Sequence, residues 1–228
     1  MSPRQGPVSR RSRPAKAPLS REGVVATALR LMKDEGLERV TMRRLGAELE
    51  TGPASLYVYV RNTAELHGAL LDELLAELLA GVDRPAPGQP WRERLISLLS
   101  AYTELLFAYP SLARSVLTLR PSGPNYLRLI DTVLGLLHAG GVPAGQAAWG
   151  VDLLLQHATA TAAEHGSRAE AAEAEREAED LAMAVADAPA DAYPHIAMAR
   201  QELFAGTGGQ RQRWALSAII EGLRVPIP

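Results

Sequence analysis

The chain has no cysteine, which excludes disulfides, thiolate chemistry and cysteine-ligated zinc. It has no long apolar run either: charges interrupt every such stretch well short of the roughly 18 residues that a membrane span needs. The basic N-terminus is not followed by the apolar region of a secretory signal, so the expected location is cytoplasmic, with no membrane partner. Catalytic signatures are missing too. There is no Gly-x-Ser-x-Gly, no Walker loop, no His-Glu-x-x-His and no metal triad. The run "GTGGQR" at 206–211 lacks a following Lys-Ser/Thr and a preceding strand, so it reads as a turn. The five histidines, His67, His138, His157, His165 and His195, are not spaced as metal ligands, and are expected to be solvated or core residues. The expectation is therefore a protein that is not an enzyme and carries no metal and no cofactor.

Composition is that of an ordinary globular chain, with 47% hydrophobic and 22% charged residues over 228 positions. That length suits one good-sized domain, or a small domain attached to a larger one. The net charge of -2 is unevenly spread: residues 1–63 hold 12 Lys/Arg against 6 Asp/Glu, and residues 64–228 hold 12 against 20. A basic N-terminal segment on an acidic body suggests that one end meets a polyanion. Residues 1–19 read as a disordered basic arm, since the first 18 hold five basic residues, four prolines and no acid, too little apolar surface to order themselves.

The rest reads as helix. Ser20 is a good N-cap, with Leu19 and Val24 placed as a hydrophobic staple; Val24, Val25, Ala28, Leu29 and Met32 repeat at helical spacing, and Gly36 offers a stop. Thr41 caps a second short helix, whose inner face carries Leu45 and Leu49. Glu50-Thr51-Gly52 is a break, and Pro53 suits the first turn of a third helix. Asn62, with Glu65 three residues on, caps a long leucine-rich helix that ends in the proline/glycine cluster at 85–90. Further helices are expected at about 91–108, 110–118, 122–139, 144–165, 191–205 and 210–224. The Ala/Glu-rich segment within 164–190 is either a solvated helix or a mobile loop, and the loop is preferred.

Strand-like composition survives only in "GPASLYVYVRN", residues 52–62, where aromatic and β-branched residues cluster. The arrangement from 20 to 60, helix, loop, short helix, three-residue turn with Gly, short helix, offers another explanation. Its last pair fits a helix-turn-helix, in which the second helix enters the major groove. A recognition helix of about two turns must be apolar inside and chemically expressive outside. Leu56 and Val60, four apart, fit the inner face, and Pro53, Ala54, Ser55, Tyr57, Val58 and Tyr59 cover the other sides. Phenolic groups there suit phosphates, sugars and thymine methyls.

The residues "VTMRRLGAEL-ETG-PASLYVYVRNTAEL" strongly resemble the DNA-binding region of TetR-family transcriptional regulators, with its Thr, basic residues, turn, small residues and Leu-Tyr pair. The ending Val60-Arg61-Asn62 looks closer to tetracycline repressors than to the commoner variants ending in Phe-Pro/Gly-Ser/Asn-Lys. More weakly, Trp91, Tyr109-Pro110, "LTLRP" at 117–121, Tyr126 and "AGGVPAGQAAWGVDLLLQ" are similar to the C-terminal domain of that subgroup. The resemblance implies an all-α fold, with a helix-turn-helix DNA-binding domain at 20–66 and a larger helical ligand-binding and dimerisation domain at 67–228. It also implies a homodimeric regulator, a repressor by family default, that binds a palindromic operator and is released by a small effector. Matched positions assign DNA contacts to Thr41, Arg43, Pro53, Ala54, Ser55, Tyr57, Val58, Tyr59, Arg61 and Thr63. Two depart from the pattern: Thr63 stands where a phosphate-binding Lys is usual, and Glu50 where a Gly often sits, implying a slightly different turn.

In the C-terminal part, matched positions assign the effector to Leu98, Tyr102, Val116, Leu119, Thr132, Leu136 and Gln156. Val116 replaces the histidine with which relatives hold a magnesium–tetracycline chelate, and Leu98 replaces a polar Asn. The implied effector is therefore largely apolar and neither tetracycline nor metal-bound. The dimer interface is assigned to Trp149, Leu153, Trp214 and Ile219. Two other readings remain open at the level of sequence. One is an all-helical small-molecule-binding protein or enzyme with an incidental basic N-terminus. The other is a nonspecific nucleoid protein, against which the acidic body argues.

Overall fold

Ser20 starts the first helix by satisfying one of its orphan donors: its hydroxyl accepts the Gly23 N–H at 3.1 Å. The computed structural model describes residues 18–82, 88–170 and 173–227; the expected basic arm falls outside them apart from residues 18 and 19. Helix α1 (Arg21–Glu35) stops at Gly36, whose φ of 90° suits a residue without a Cβ. A single 3-10 turn (Leu37–Arg39) leads to α2 (Met42–Glu48), where the Thr41 hydroxyl accepts the Arg44 N–H at 3.1 Å. The turn then delivers α3 (Pro53–Leu56), and α4 (Thr63–Val82) runs out of the head into the body.

The body contains α5 (Trp91–Phe107), α6 (Pro110–Val116), α7 (Pro124–Ala139), α8 (Ala144–Glu170), α9 (Ala174–Asp187), α10 (Pro194–Ala199) and α11 (Gly208–Gly222). A further 3-10 turn at Glu202–Phe204 follows α10. No strand occurs among the described residues. Helices α5 and α8 form the central pair; α6 and α7 close one side and α11 lies across α5 and α8. One apolar core runs through both parts, from Val25, Leu31 and Leu45 in the head to Leu99, Tyr102 and Leu154 in the body. Each fully buried leucine contributes roughly 2 kcal/mol relative to exposure, and Leu66, Leu70, Leu71, Leu74, Leu75 and Leu79 place six of them on α4. Helix α4 is therefore the shared wall of head and body.

Two expectations need correction. Most of the segment 164–190 is helical rather than a loop: α8 continues to Glu170, and α9 spans Ala174–Asp187. Alanine, glutamate and arginine are strong helix formers, so weak apolar periodicity did not prevent a helix. An Arg176–Glu173 pair at 3.1 Å adds a local contact. The helix expected over 191–205 starts only at Pro194, which suits a first helical turn, and is two short pieces rather than one.

Candidate nucleic-acid interface and effector cavity

Leu56 and Val60 are fully buried beneath the head, as their spacing requires, while Tyr57 and Val58 between them are 51% and 82% exposed. A four-residue repeat thus separates the buried side chains from the exposed ones. The α-helical stretch is shorter than the expected two turns: it covers Pro53–Leu56 and tightens into a turn. The Tyr59 N–H bonds to Leu56 O at 2.9 Å and the Val60 N–H to the same oxygen at 3.1 Å. The cause is the composition noted at the outset, since Tyr and Val lose side-chain freedom in a helix. Tyr59 departs from its expected outward position: it is half-buried and packs on the head core.

The remaining head residues expected at DNA are all exposed. Pro53, Ala54, Ser55, Arg61 and Thr63 are exposed. Thr41 is exposed and caps α2 as an acceptor, so its own O–H remains to donate to a phosphate. Arg43 is exposed, whereas its neighbour Arg44 is committed to Glu35 and Glu48, each at 2.9 Å. Charge alone did not distinguish these two arginines; the fold does. Arg61 donates to Glu65 through its backbone N–H at 2.8 Å and through Nε at 2.9 Å, while Asn62 Oδ1 accepts the Glu65 N–H at 2.8 Å. The two bonds from Arg61, the backbone one foremost, hold the Glu65 carboxyl below the usual range. Glu50 in the turn adopts φ 48°, the left-handed conformation that a glycine takes without strain.

Three polar links fasten this head to the body. Asp72, buried on α4, accepts from the Tyr126 backbone N–H at 2.9 Å and from Asn125 Nδ2 at 3.1 Å, capping the start of α7. Gly123 is required beside it, because a Cβ there would overlap the Asp72 carboxylate. His67 Nδ1 lies 2.6 Å from Ser115 Oγ on α6, and burial pushes that imidazole's pKa down. Glu38 bonds to Ser111 at the start of α6. None of these partners was legible in the sequence; the available signal was an acid, Asp72, on the inner face of a leucine-rich helix.

Of the seven residues expected around an effector, Val116, Leu119 and Gln156 line one cavity of about 80 Å³ between α6, the α6–α7 loop and α8. Leu117, Pro121, Leu155 and Tyr126 complete its apolar wall, and Arg120, Asp152 and Thr159 add polar groups that sequence reasoning missed. Tyr102 lies just behind: its hydroxyl is 3.1 Å from Thr159 Oγ1, which itself donates to Leu155 O at 2.8 Å, so the phenol is the donor. Burial raises its pKa far above the usual value. Leu98 and Leu136 are buried in the core, and Thr132 turns its hydroxyl back to Arg128 O at 2.7 Å. No cluster of three metal-ligating residues occurs among the described residues. On the far side, Trp149 is 60% and Trp214 is 74% exposed. Leu153 is also exposed, and Ile219 is half-buried.

A helix-turn-helix head on a larger helical body with a small cavity defines the class: a DNA-binding transcriptional regulator with a sensor domain. The comparisons then give the family. Residues 24–70 match the bacterial regulatory proteins of the tetR family, and residues 84–227 match the tetracyclin repressor-like C-terminal domain. The chain belongs to the tetR family of bacterial regulatory proteins. Its family members are regulators rather than enzymes. A transcription regulator of Streptomyces coelicolor, SCO7704, shares 51% identity over 93% of this chain and 98% of that one, with a TM-score of 0.76. The structure of ActR from the same organism in complex with actinorhodin shares 34% identity over 91% and 96%, with a TM-score of 0.78. The class C tetracycline repressor protein of Escherichia coli is 32% identical over 58% of this chain and 59% of that protein. The class D repressor is matched over 51% of its length, so the chain spans about half the length of the curated relatives it matches.

Proposed function

We propose that the chain is a homodimeric transcriptional repressor that binds a palindromic operator and is released by a small, largely apolar effector. The observation that carries this reading is the division within one turn of chain: Leu56 and Val60 fully buried, Tyr57 and Val58 out in solvent. The proposed DNA contacts are Thr41, Arg43, Pro53, Ala54, Ser55, Tyr57, Val58, Arg61 and Thr63, with the exposed edge of Tyr59. The exposed indoles of Trp149 and Trp214, with Leu153 and Ile219, support a second copy packed on α8 and α11, since large exposed apolar groups mark interaction surfaces. The proposed domain boundary near 66 falls inside the continuous helix α4, which would make that helix the lever between effector and operator.

The effector site we place at the cavity beside Val116, Leu119 and Gln156, with Tyr102 behind it. Its lining mixes aliphatic side chains with Arg120, Asp152, Gln156 and Thr159, which suits an apolar body that carries polar groups. At about 80 Å³ it is far smaller than the roughly 300 Å³ or more of a typical ligand pocket, so the effector must open it. ActR, a structural relative, was captured with actinorhodin, which supports a small organic effector here. No imidazole lines the cavity, which argues against a chelated magnesium. No single helix among the described residues is long and apolar enough to cross a membrane, and a DNA-binding role places the protein in the cytoplasm. Selection from genomic fragments followed by footprinting tests the reading. A discrete palindromic site supports it, with half-sites about one helical turn apart or somewhat more. Uniform coverage, or no site at all, overturns it.

A further inference from the structure

We propose that a second small-molecule site lies in the cleft between α5, α8 and the start of α11, and that it takes an uncharged, largely apolar compound bearing a carbonyl or hydroxyl group. The cleft encloses about 300 Å³, the lower end of the range for ligand pockets at roughly 300–1,000 Å³. Phe107 and Thr103 of α5, Thr161 and His165 of α8, and Gly209 and Gln212 of α11 line it. Helix α11 is held on the body by buried Leu216 and Ile220 and by Arg92 of α5, which donates to Ser217 O at 3.3 Å and pairs with Glu221. Its open end lies at Gly208 and Gly209, where a Cβ would meet nothing within 4 Å.

Unsatisfied chemistry is concentrated here. Among the described residues, four buried side-chain polar atoms lack a hydrogen-bond partner: Ser100 Oγ, His157 Nε2, Gln212 Nε2 and one atom of Arg200. The first three belong to α5, α8 and α11, the helices that form this cleft. Gln212 lines it directly. Ser100 and His157 lie one helical turn inward of Glu104 and Thr161, on the same helix faces. Native proteins rarely leave a buried donor unpaired, and the Gln212 amide, the one of the three that lines the cleft, calls for a partner.

The available groups define its chemistry. The Gln212 amide N–H needs an acceptor, which a carbonyl supplies. His165 Nδ1 lies 3.0 Å from Thr161 O, and a carbonyl can only accept, so Nδ1 carries the proton. That leaves Nε2 facing the cleft as a partner for a hydroxyl. Burial lowers the His157 pKa. Among the described residues, Glu104 is the one formally charged side chain of the lining. Along α8, residues 157, 161 and 165 project opposite to 152, 155, 156 and 159, which face the effector cavity, at about 100° per residue. The two sites therefore lie on opposite sides of one helix.

Prodan, a neutral naphthyl ketone whose emission moves to the blue in apolar surroundings, is a suitable probe of the full chain. Saturable one-to-one binding is expected. Gly209→Trp, which fills the mouth, should abolish it, and Gln212→Leu should weaken it about tenfold, the worth of one hydrogen bond. Gln156→Trp, on the other face of α8, should leave it unchanged. Circular dichroism melting confirms that each variant is folded, and Thr161→Leu substitutes for Gly209→Trp if that variant is not. The proposal fails if the wild-type chain does not bind the probe, or if filling the cleft leaves binding intact. It fails equally if Gln156→Trp abolishes binding, which would assign the probe to the effector cavity.

Discussion

The Asp72 carboxylate accepts the backbone N–H of Tyr126 at 2.9 Å, so a side chain from the helix that leaves the DNA-binding head caps the first turn of α7 in the body. Tyr126 also lines the effector cavity. One buried hydrogen bond thus connects the cavity wall to α4 and, through Asn62 and Glu65 at its start, to the end of the recognition turn. Asp72→Ala should cost about 1–3 kcal/mol by stranding the Tyr126 and Asn125 donors. Gly123→Ala should also destabilise, and the two should be non-additive by at least about 0.5 kcal/mol, because removing the carboxylate makes room for the Cβ. Urea unfolding of the double-mutant cycle checks this; additive losses would show that the contact is not the cap we describe.

On the proposed DNA contacts, the exposed head residues should divide into positioning and reading groups. Arg43→Ala should weaken binding to all DNA alike and lower the slope of log affinity against log salt by about one. Val58→Ala should leave stability unchanged, relax discrimination at one base position by about 1 kcal/mol or more, and keep the salt slope. Tyr57→Phe should weaken binding by about fivefold if its hydroxyl donates to a phosphate. Titrations at several salt concentrations separate the three.

Glu50 holds φ 48° without the freedom of a glycine. A left-handed residue costs about 1–2 kcal/mol, and glycine's extra chain entropy returns about 0.5–1 kcal/mol of any gain. Glu50→Gly should therefore stabilise the chain by about 0.5–1 kcal/mol and raise Tm by a few degrees. A lower Tm would mean that the Glu50 side chain contributes more than its backbone costs.

His67 has its pKa lowered from 6.5 by burial against α6. The sign follows from proton binding: as pH falls below about 6.5, the unfolded chain takes up a proton that the folded chain resists, so stability falls. His67→Gln should flatten this part of the stability–pH profile measured by urea unfolding between about pH 8 and pH 5. His157, whose pKa is also lowered by burial, should retain its own share. An unchanged profile would remove His67 from the account.

Trp214 is 74% exposed, more than any other aromatic side chain among the exposed large hydrophobics of the described residues. Trp214→Arg should weaken self-association by about 2 kcal/mol, roughly thirtyfold in Kd, with little effect on the fold of the monomer. Sedimentation at several concentrations reads this directly; an unaltered dimer would move the interface elsewhere.

Legibility followed range. Ser20, Gly36, Thr41 and the Asn62–Glu65 pair were readable because each acts on backbone within four residues of itself. Leu56 and Val60 were readable because a period of about four in so short a segment leaves little choice of inner face. The stretch from Tyr57 to Tyr59 was half readable: it is an exposed turn with one ring folded back, and neither strand nor two full helical turns. The Ala/Glu-rich segment misled because its helices bury little, so apolar periodicity, the strongest sequence signal, was absent while propensity was high. Asp72 was opaque, since its partners lie more than fifty residues away.

By itself, then, the sequence determined the helical class, the caps and breaks, the helix-turn-helix spacing and the family, because these depend on hydrogen bonds and periodicities local to the chain. Only the tertiary structure decided which arginine is committed and which is available, which of the cavity residues meet, and how α4 grips α7. Those outcomes depend on distances between segments remote in sequence, where a single carboxylate finds its partners only after the core has brought two helices together.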